Sequence, residues 1–427
     1  MPGHKGVPFL GCEGYDITEI GGADELYCPN GIILESEKNA SKLFGTARTV
    51  YSAGGSSQSI NAMLFLAYSK AEKDGTRSFV LAGRNAHKSF IYAAAKLNID
   101  VEWIYPQNSK DICSCVITPE MLQNALAKLN KKPFAVFVTS PDYLGKMTDI
   151  RGLSKICRQY DIPLLVDNAH GAYTAFLEKN AHPIHLGADI CCDSAHKTLP
   201  VLTGGGYLHI ANDDRFGFAD GAVRAMEIFG STSPSYLILS SLDLCNKYIS
   251  EDIKKDLCDC VKKAAKIKKL MKKIGIPDIS DEPLKITADF SEFTAPEGGF
   301  SQYFRDCGIE YEYADGENTV FMLSPQNSDE DFQKLESAFK NLPLGIRNTS
   351  REILPIFPAR RAMSVRDAVF SQSEETDVFC ALDRVCASPT VSCPPAVPIA
   401  VSGEIINEDH IRLFKRYGIN KIAVVTE

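Results

Sequence analysis

Three observations predict an α/β fold, with a large domain built on a mostly parallel sheet covered on both faces and a smaller α+β C-terminal domain. Short apolar runs alternate with helix-length amphipathic stretches from residue 77 onward, the pattern of a mostly parallel sheet covered on both faces. Two of those runs end in polar, chemistry-bearing residues, Asp167 with His170 and His196 with Lys197, as expected where an α/β sheet opens a ligand crevice at its strand ends. With 427 residues, the chain is long enough to divide into two or three units.

Taken in order, residues 1–50 are rich in glycine and turn formers without a strong period, and are expected to wrap the body or a partner subunit. A glycine-serine turn from Tyr51 to Asn61 leads into the apolar helical run Ala62–Ala67. Backbone N–H groups at such a helix start, with the Ser56 and Ser57 hydroxyls, make a phosphate cradle, although an ordinary helix cap reads the same way. Ser78–Ala82, Val101–Tyr105 and Phe134–Val138 are expected strands, separated by helices over 86–97, from Thr118-Pro119 onward and over 149–160. Thr118 is the expected cap, with proline at the first helical position.

Pro163–Asp167 and Gly205–Ile210 continue the strands, and Ser235–Ile249 is a long helix after which a boundary is expected. Residues 252–275 place Ile253, Leu257, Val261, Ala264 and Met271 on one helical face and lysines on the other, a solvated face rather than an RNA contact. Strand patterns at Leu284–Phe290 and Thr319–Leu323 and a Ser328-capped helix to Asn341 suggest a small α+β unit, followed by a proline-punctuated, irregular tail up to Ile422–Val425. The division is thus 1–50, a wrapping segment; 51–250, the large domain; and 251–427, the small C-terminal region.

Composition narrows the function classes. Lys+Arg of 46 against Asp+Glu of 54 gives a net charge of −8, which provides no global attraction to nucleic acid or anionic membrane. No apolar run reaches membrane-span length, and the first residues lack a signal-peptide core, so a soluble, cytoplasmic protein is expected. The 14 cysteines include Cys113-Ser-Cys115, Cys191-Cys192 and Cys258-Asp-Cys260 but no paired zinc knuckles; they read as reduced thiols, with no metal site expected.

The candidate chemistry centres on Asp189–Pro200. A lysine there, Lys197, can act as an amine nucleophile, and Asp167 upstream supplies a carboxylate. A lysine for a Schiff base and a carboxylate for a pyridinium nitrogen are what pyridoxal 5'-phosphate requires.

The motifs Pro2-Gly-His-Lys-Gly6, Gly55-Ser-Ser57, Asn85-Ala-His-Lys-Ser89, Thr139-Ser-Pro141, Asp167 with Ala169-His-Gly171, Ser194 with His196-Lys-Thr-Leu-Pro200, and Thr232-Ser-Pro-Ser-Tyr236 occur in this order. Together with Pro394-Pro395, Pro398 and Gly403-Glu404, they make the chain resemble the Orn/Lys/Arg decarboxylase family. These are pyridoxal phosphate enzymes of the aspartate-aminotransferase fold (fold type I), which implies a three-layer, aspartate-aminotransferase-like large domain, and the likeness is to the short form without a receiver-like N-terminal domain.

The resemblance implies that Lys197 forms the Schiff base, Asp167 binds the pyridine nitrogen and His87 stacks on the ring. It further implies that Ser56, Ser57 and Ser194 hold the phosphate, with His170 beside the cofactor and Ser233 reaching across a homodimer boundary. His196 would help return a proton. The implied reaction is decarboxylation of arginine, lysine or ornithine to a polyamine-type amine. Asp16, Glu19, Asp24 and Glu404 are the candidates to hold the substrate's distal cation.

Some positions depart from the family pattern: Ala195 stands where threonine is favoured, Gly54 where asparagine is common and Asp142 where threonine is common, while Ala396 and Ser402 replace a glycine and a proline. An aminotransferase or lyase of the same fold type, or a cofactor-binding non-enzymatic homologue, stays open. An aminotransferase would clamp the substrate carboxylate with an arginine, for which Arg347, Arg351, Arg360 and Arg361 are the candidates.

Overall fold

The computed structural model describes residues 2–107, 111–346, 354, 356–389 and 395–426. Arg347, Arg351 and Pro394 lie outside the described residues.

Seven strands form the central sheet: β1 (Arg48–Ser52), β2 (Phe79–Gly83), β3 (Asp100–Ile104), β4 (Ala135–Thr139), β5 (Leu164–Asp167), β6 (Ile190–Asp193) and β7 (Gly206–Ile210). Their spatial order is β1-β7-β6-β5-β4-β2-β3. All lateral pairs from β3 to β6 are parallel, and β7 runs against both β6 and β1. The expected strands are present within a residue or so, and the antiparallel β7 is the one departure from a uniform direction.

Alternation along these strands explains why both faces are covered. Val80, Ala82, Phe137 and Leu165 face a core with Met63, Leu64, Phe90 and Ile91 of helices α2 (Gly55–Lys73) and α3 (Lys88–Leu97). Leu81, Val136, Val138, Leu164 and Val166 point the other way, onto Leu122 of the helix Pro119–Lys128 and Leu153 of the helix Ile150–Gln159. Sheet and helices thus make three layers. Each fully buried Leu or Val contributes about 1.5–3 kcal/mol.

The first 50 residues hold more regular structure than their weak period suggests. Helix α1 (Ile32–Phe44) buries Ile33, Ala40 and Phe44, and β1 closes one edge of the sheet. Glu37, buried on α1, accepts from the Tyr51 N–H at 2.9 Å and from Arg48 at 2.8 Å. A buried glutamate in the middle of the apolar face interrupts the pattern that would have revealed the helix.

After the helices Tyr236–Glu251 and Ile253–Lys273, strand β8 (Lys285–Asp289) joins Asn318–Met322 and Tyr313–Ala314 in a three-stranded antiparallel sheet, with the helix Asp329–Asn341 against it. This unit shares one core with α1 and the outer face of β1 and β7, through Phe44, Tyr51, Tyr207, Leu257, Phe304 and Phe339. The tail is also more regular than expected. Ser373–Asp377 pairs with Lys421–Val425, and the helix Glu408–Arg416 starts from an Asn407 capping box. The strand Ser373–Asp377 is polar and mostly exposed, so no hydrophobic alternation marks it.

Candidate active site

The spatial order reverses direction between β2 and β4, which marks a switch point and places a crevice at the strands' carboxyl ends. A cavity of about 210 Å³ lies there, lined among others by Asn85 and His87 after β2, Thr139 at the end of β4, Asp167 and His170 after β5, and Lys197 after β6. Ser56 contributes from the start of α2, and Glu312 and Ala396 enter from the C-terminal half.

Lys197 sits on the one-turn helix Ala195–Thr198 that directly follows β6. Its Nζ lies 2.8 Å from His170 Nε2 and 5.8 Å from the Tyr143 ring centre. Asp167 is buried, and its Oδ1 accepts from the Ala169 N–H at 3.1 Å. Burial pushes this carboxyl upward, opposed by the Ala169 N–H and the nearby Lys197 charge. A buried carboxylate facing a cavity suits a cationic partner.

His87 is the N-cap of α3. Its Nδ1 accepts from the Ser89 N–H at 3.1 Å and lies 2.9 Å from Ser89 Oγ, which in turn meets Ser57 Oγ at 2.8 Å. Burial, then the charges of Lys197 and Lys88, lower His87 to about 4, so the ring is neutral at pH 7. Ser89 ends a motif quoted from the sequence but has no role assigned there; the signal for one is its position two residues after an N-capping histidine.

Ser194 donates to Ser56 Oγ at 2.9 Å. Gly55, with φ of +66°, lets the chain turn into α2 where a side chain would strain it. The Ser56 hydroxyl in the first turn of a 19-residue helix and the Ser194 hydroxyl that meets it form an anion-binding corner. Two buried atoms on the cavity wall, Asn85 Oδ1 and Thr139 Oγ1, have no hydrogen-bond partner among the described residues. Such orphans fit a polar ligand. The donor set, the anion corner and the orphaned atoms therefore suit a phosphorylated pyridine aldehyde.

Other expected residues lie elsewhere. Ser57 bonds Ser89 and does not line the cavity; His196 points its Nδ1 at the Gly205 carbonyl, 3.0 Å away; Ser233 is exposed. None of Asp16, Glu19, Asp24 and Glu404 lines the cavity. Asp16 meets His4 at 3.2 Å, and Asp24 accepts from the N–H groups of Asn30, Gly31, Ile33 and Leu34 at the start of α1. Glu404 is buried beside Arg84, whose guanidinium donates to the Pro398 and Ile399 carbonyls at 2.7 and 2.8 Å. That pair fastens the C-terminal segment over β2. Glu312 is the acid that does reach the cavity, held by the Tyr143 hydroxyl at 2.7 Å. Sequence reading missed it because it lies in the polar stretch Glu310–Asp315, carried to the cavity by the pairing of Tyr313 with Val320.

Although no zinc spacing is present in the sequence, His182, Asp193 and His209 converge in the interior. Asp193 Oδ2 meets His182 Nε2 at 3.0 Å and His209 Nε2 at 3.2 Å, and Oδ1 accepts from Asn168 at 2.7 Å. Burial opposes ionisation, yet the two histidines hold Asp193 well below the usual carboxylate range. These groups are taken up by one another, which is a hydrogen-bonded brace between β6 and β7.

Residues 13–282 match the family described as Orn/Lys/Arg decarboxylase, major domain. The chain belongs to this family. It is 28% identical over 436 residues to the uncharacterized protein YaaO of Bacillus subtilis (strain 168), covering 94% of this chain and 85% of that protein. It is 26% identical over 419 residues to an arginine decarboxylase of the same organism, covering 93% and 83%. The fold is similar to that of the Francisella novicida lysine decarboxylase LdcF, with a TM-score of 0.78 at 16% identity over 100% of this chain and 78% of that one. The constitutive lysine decarboxylase of E. coli gives 0.77 at 17% identity, over 100% and 79%.

Proposed function

We propose that this chain is a pyridoxal phosphate-dependent decarboxylase of a basic amino acid, arginine, lysine or ornithine, releasing carbon dioxide and an amine. The observation that carries the reading is the convergence of Lys197, Asp167 and His87 on one cavity at the strand ends. Family membership supports it.

When bound, pyridoxal phosphate supplies an electron sink for the pair left at the substrate carbon as carbon dioxide departs. Lys197 would be the covalent anchor, and Asp167 would hold a proton at the ring nitrogen. His87, fixed through Ser89 and Ser57, would hold the cofactor ring with its neutral imidazole. Ser56, Ser194 and the N–H groups that open α2 hold the phosphate. Proton return at the substrate carbon falls to the Lys197 amine and His170, while His196 steadies the turn that carries Lys197.

Glu312, rather than the four acids expected from sequence, is the counter-charge for the distal ammonium or guanidinium. A charge-assisted bond in this partly dry pocket orients the substrate so that its carboxylate can leave. The described lining contains no arginine to clamp that carboxylate, which favours decarboxylation over amino transfer. Arg360 and Arg361 are not part of it.

The working unit in this reading is a homodimer with Ser233 completing the partner's pocket. Exposed Phe9, Leu10, Tyr15 and Leu244 supply apolar surface for the contact. Mixing inactive Lys197→Ala with an inactive Ser233 variant restores activity if sites are shared; an active monomer excludes it.

Incubation with each basic amino acid should release carbon dioxide and the matching amine, and borohydride should fix the cofactor on the Lys197 peptide. Formation of a 2-oxo acid without carbon dioxide would replace this reading with amino transfer.

A further inference from the structure

The Lys197 partner His170 has a second lysine on its other side. Lys285, the first residue of β8, is fully buried, and its Nζ lies 3.1 Å from His170 Nδ1. The same Nζ donates to the Asp142 carbonyl at 3.2 Å and faces Glu282 Oε1 at 3.7 Å. Around this group also lie the Tyr143 ring, 6.0 Å away, and Tyr173, whose hydroxyl donates to Glu282; Lys268 holds the Glu282 carbonyl at 2.9 Å.

An ammonium has three donors and no lone pair, whereas a neutral imidazole has one N–H and one bare nitrogen. Besides the imidazole nitrogen, Lys285 faces two groups that can only accept, the Asp142 carbonyl and the Glu282 carboxylate, so it is the ammonium of the pair. Its N–H must then meet a bare Nδ1. The remaining proton of His170 is forced onto Nε2, where it points at Lys197 Nζ 2.8 Å away. That nitrogen has to accept, which it does only as a neutral amine or once joined in a Schiff base. The opposite arrangement would leave Lys285 an uncharged amine and strip the buried Glu282 carboxylate of the ammonium that faces it.

We infer that Lys285 is a positioning residue for the reaction: from the small sheet it locks the His170 tautomer and so keeps the Lys197 nitrogen unprotonated and ready to bond. This rests on the assignment of Lys197 as the reactive amine. Burial first, with the Lys285 charge acting in the same direction, holds His170 well below the ordinary imidazole range, consistent with a neutral ring. The device also couples the two parts of the fold, because β8 must be seated before the lysine is set.

Full-length protein as purified, labelled with ¹⁵N-histidine and with His170 assigned by its loss in His170→Gln, reports the tautomer directly. The expected state is a protonated Nε2 and bare Nδ1 at neutral pH. Lys285→Met should move His170 to the other tautomer or a mixture and lower kcat by about tenfold or more with little change in KM; Lys285→Arg should restore both. A proton on Nδ1 in the unmodified protein overturns the inference, as does Lys285→Met with unchanged tautomer or unchanged kcat. If Lys285→Met does not fold, the tautomer of the unmodified protein decides alone. The tautomer needs no turnover to be read. A protein with the expected tautomer that decarboxylates nothing would therefore lose the proposed reaction but not the lock, and a working decarboxylase with Nδ1 protonated would do the reverse.

Discussion

The Tyr143 hydroxyl donates to Glu312 Oε1 across 2.7 Å, linking the loop after β4 to the small antiparallel sheet at the cavity wall. The carboxylate keeps a second oxygen for a ligand. Because a hydrogen bond to a charged group is worth about 1.5–3 kcal/mol, Glu312→Gln should lower kcat/KM for the preferred basic amino acid by roughly 10- to 150-fold, mostly through KM. Tyr143→Phe should cost less, since it frees the carboxylate without removing its charge. Steady-state kinetics on both variants check this; an unchanged KM in Glu312→Gln would move the distal anchor elsewhere.

Asp167 pairs burial with an open face toward the cavity. Removing its charge in Asp167→Asn leaves the lysine free to bond the cofactor but takes away the group that keeps a ring nitrogen protonated. Turnover should drop by roughly 100-fold or more, the usual scale for losing one preorganised electrostatic partner, while the borohydride-fixed adduct at Lys197 persists. Near-normal turnover would refute the role.

How much of this was legible beforehand depends on what marks each residue. Val80–Ala82 and Leu164–Val166 are apolar on both faces and bounded by polar turns, so strand and carboxyl end could both be read, and with them Asp167 and Lys197. Helix α1 was hidden by the buried Glu37. Glu312 and Lys285 were hidden for a different reason: they reach the cavity region through long-range pairing of β8 with Asn318–Met322, and nothing local distinguishes a charged residue that turns inward from one that stays in solvent. Asp24 and Glu404 show the converse: they are acids in suggestive segments whose oxygens meet backbone N–H groups or Arg84.

Ala396 lines the cavity with φ of +56°. A side chain in that left-handed region costs about 1–2 kcal/mol, partly offset by the greater unfolded-state freedom of glycine. Ala396→Gly should therefore raise stability slightly, by about 0.5–1 kcal/mol, measured as a higher denaturation midpoint at unchanged denaturant slope. A lower midpoint would mean the methyl group makes contacts worth more than the strain.

His410 is buried on the helix Glu408–Arg416, where its Nδ1 accepts from the Asn407 N–H at 3.3 Å and its Nε2 lies 4.0 Å from Glu404. Burial first, and then the Arg84 charge, lower it to about 4. A lowered folded value means that between about 6.5 and 4 the unfolded chain binds a proton which the folded chain refuses. Stability is thus complete above the ordinary histidine range and is lost as pH falls toward 4, at up to about 1.4 kcal/mol per pH unit for one proton. His410→Gln can keep a side-chain acceptor near the Asn407 N–H and has nothing to titrate. Urea unfolding from pH 7 to pH 4.5 should show a shallower acid limb in this variant than in the unmodified protein, even if its stability at pH 7 is lower. Parallel acid limbs in the two proteins would mean that other groups carry the loss.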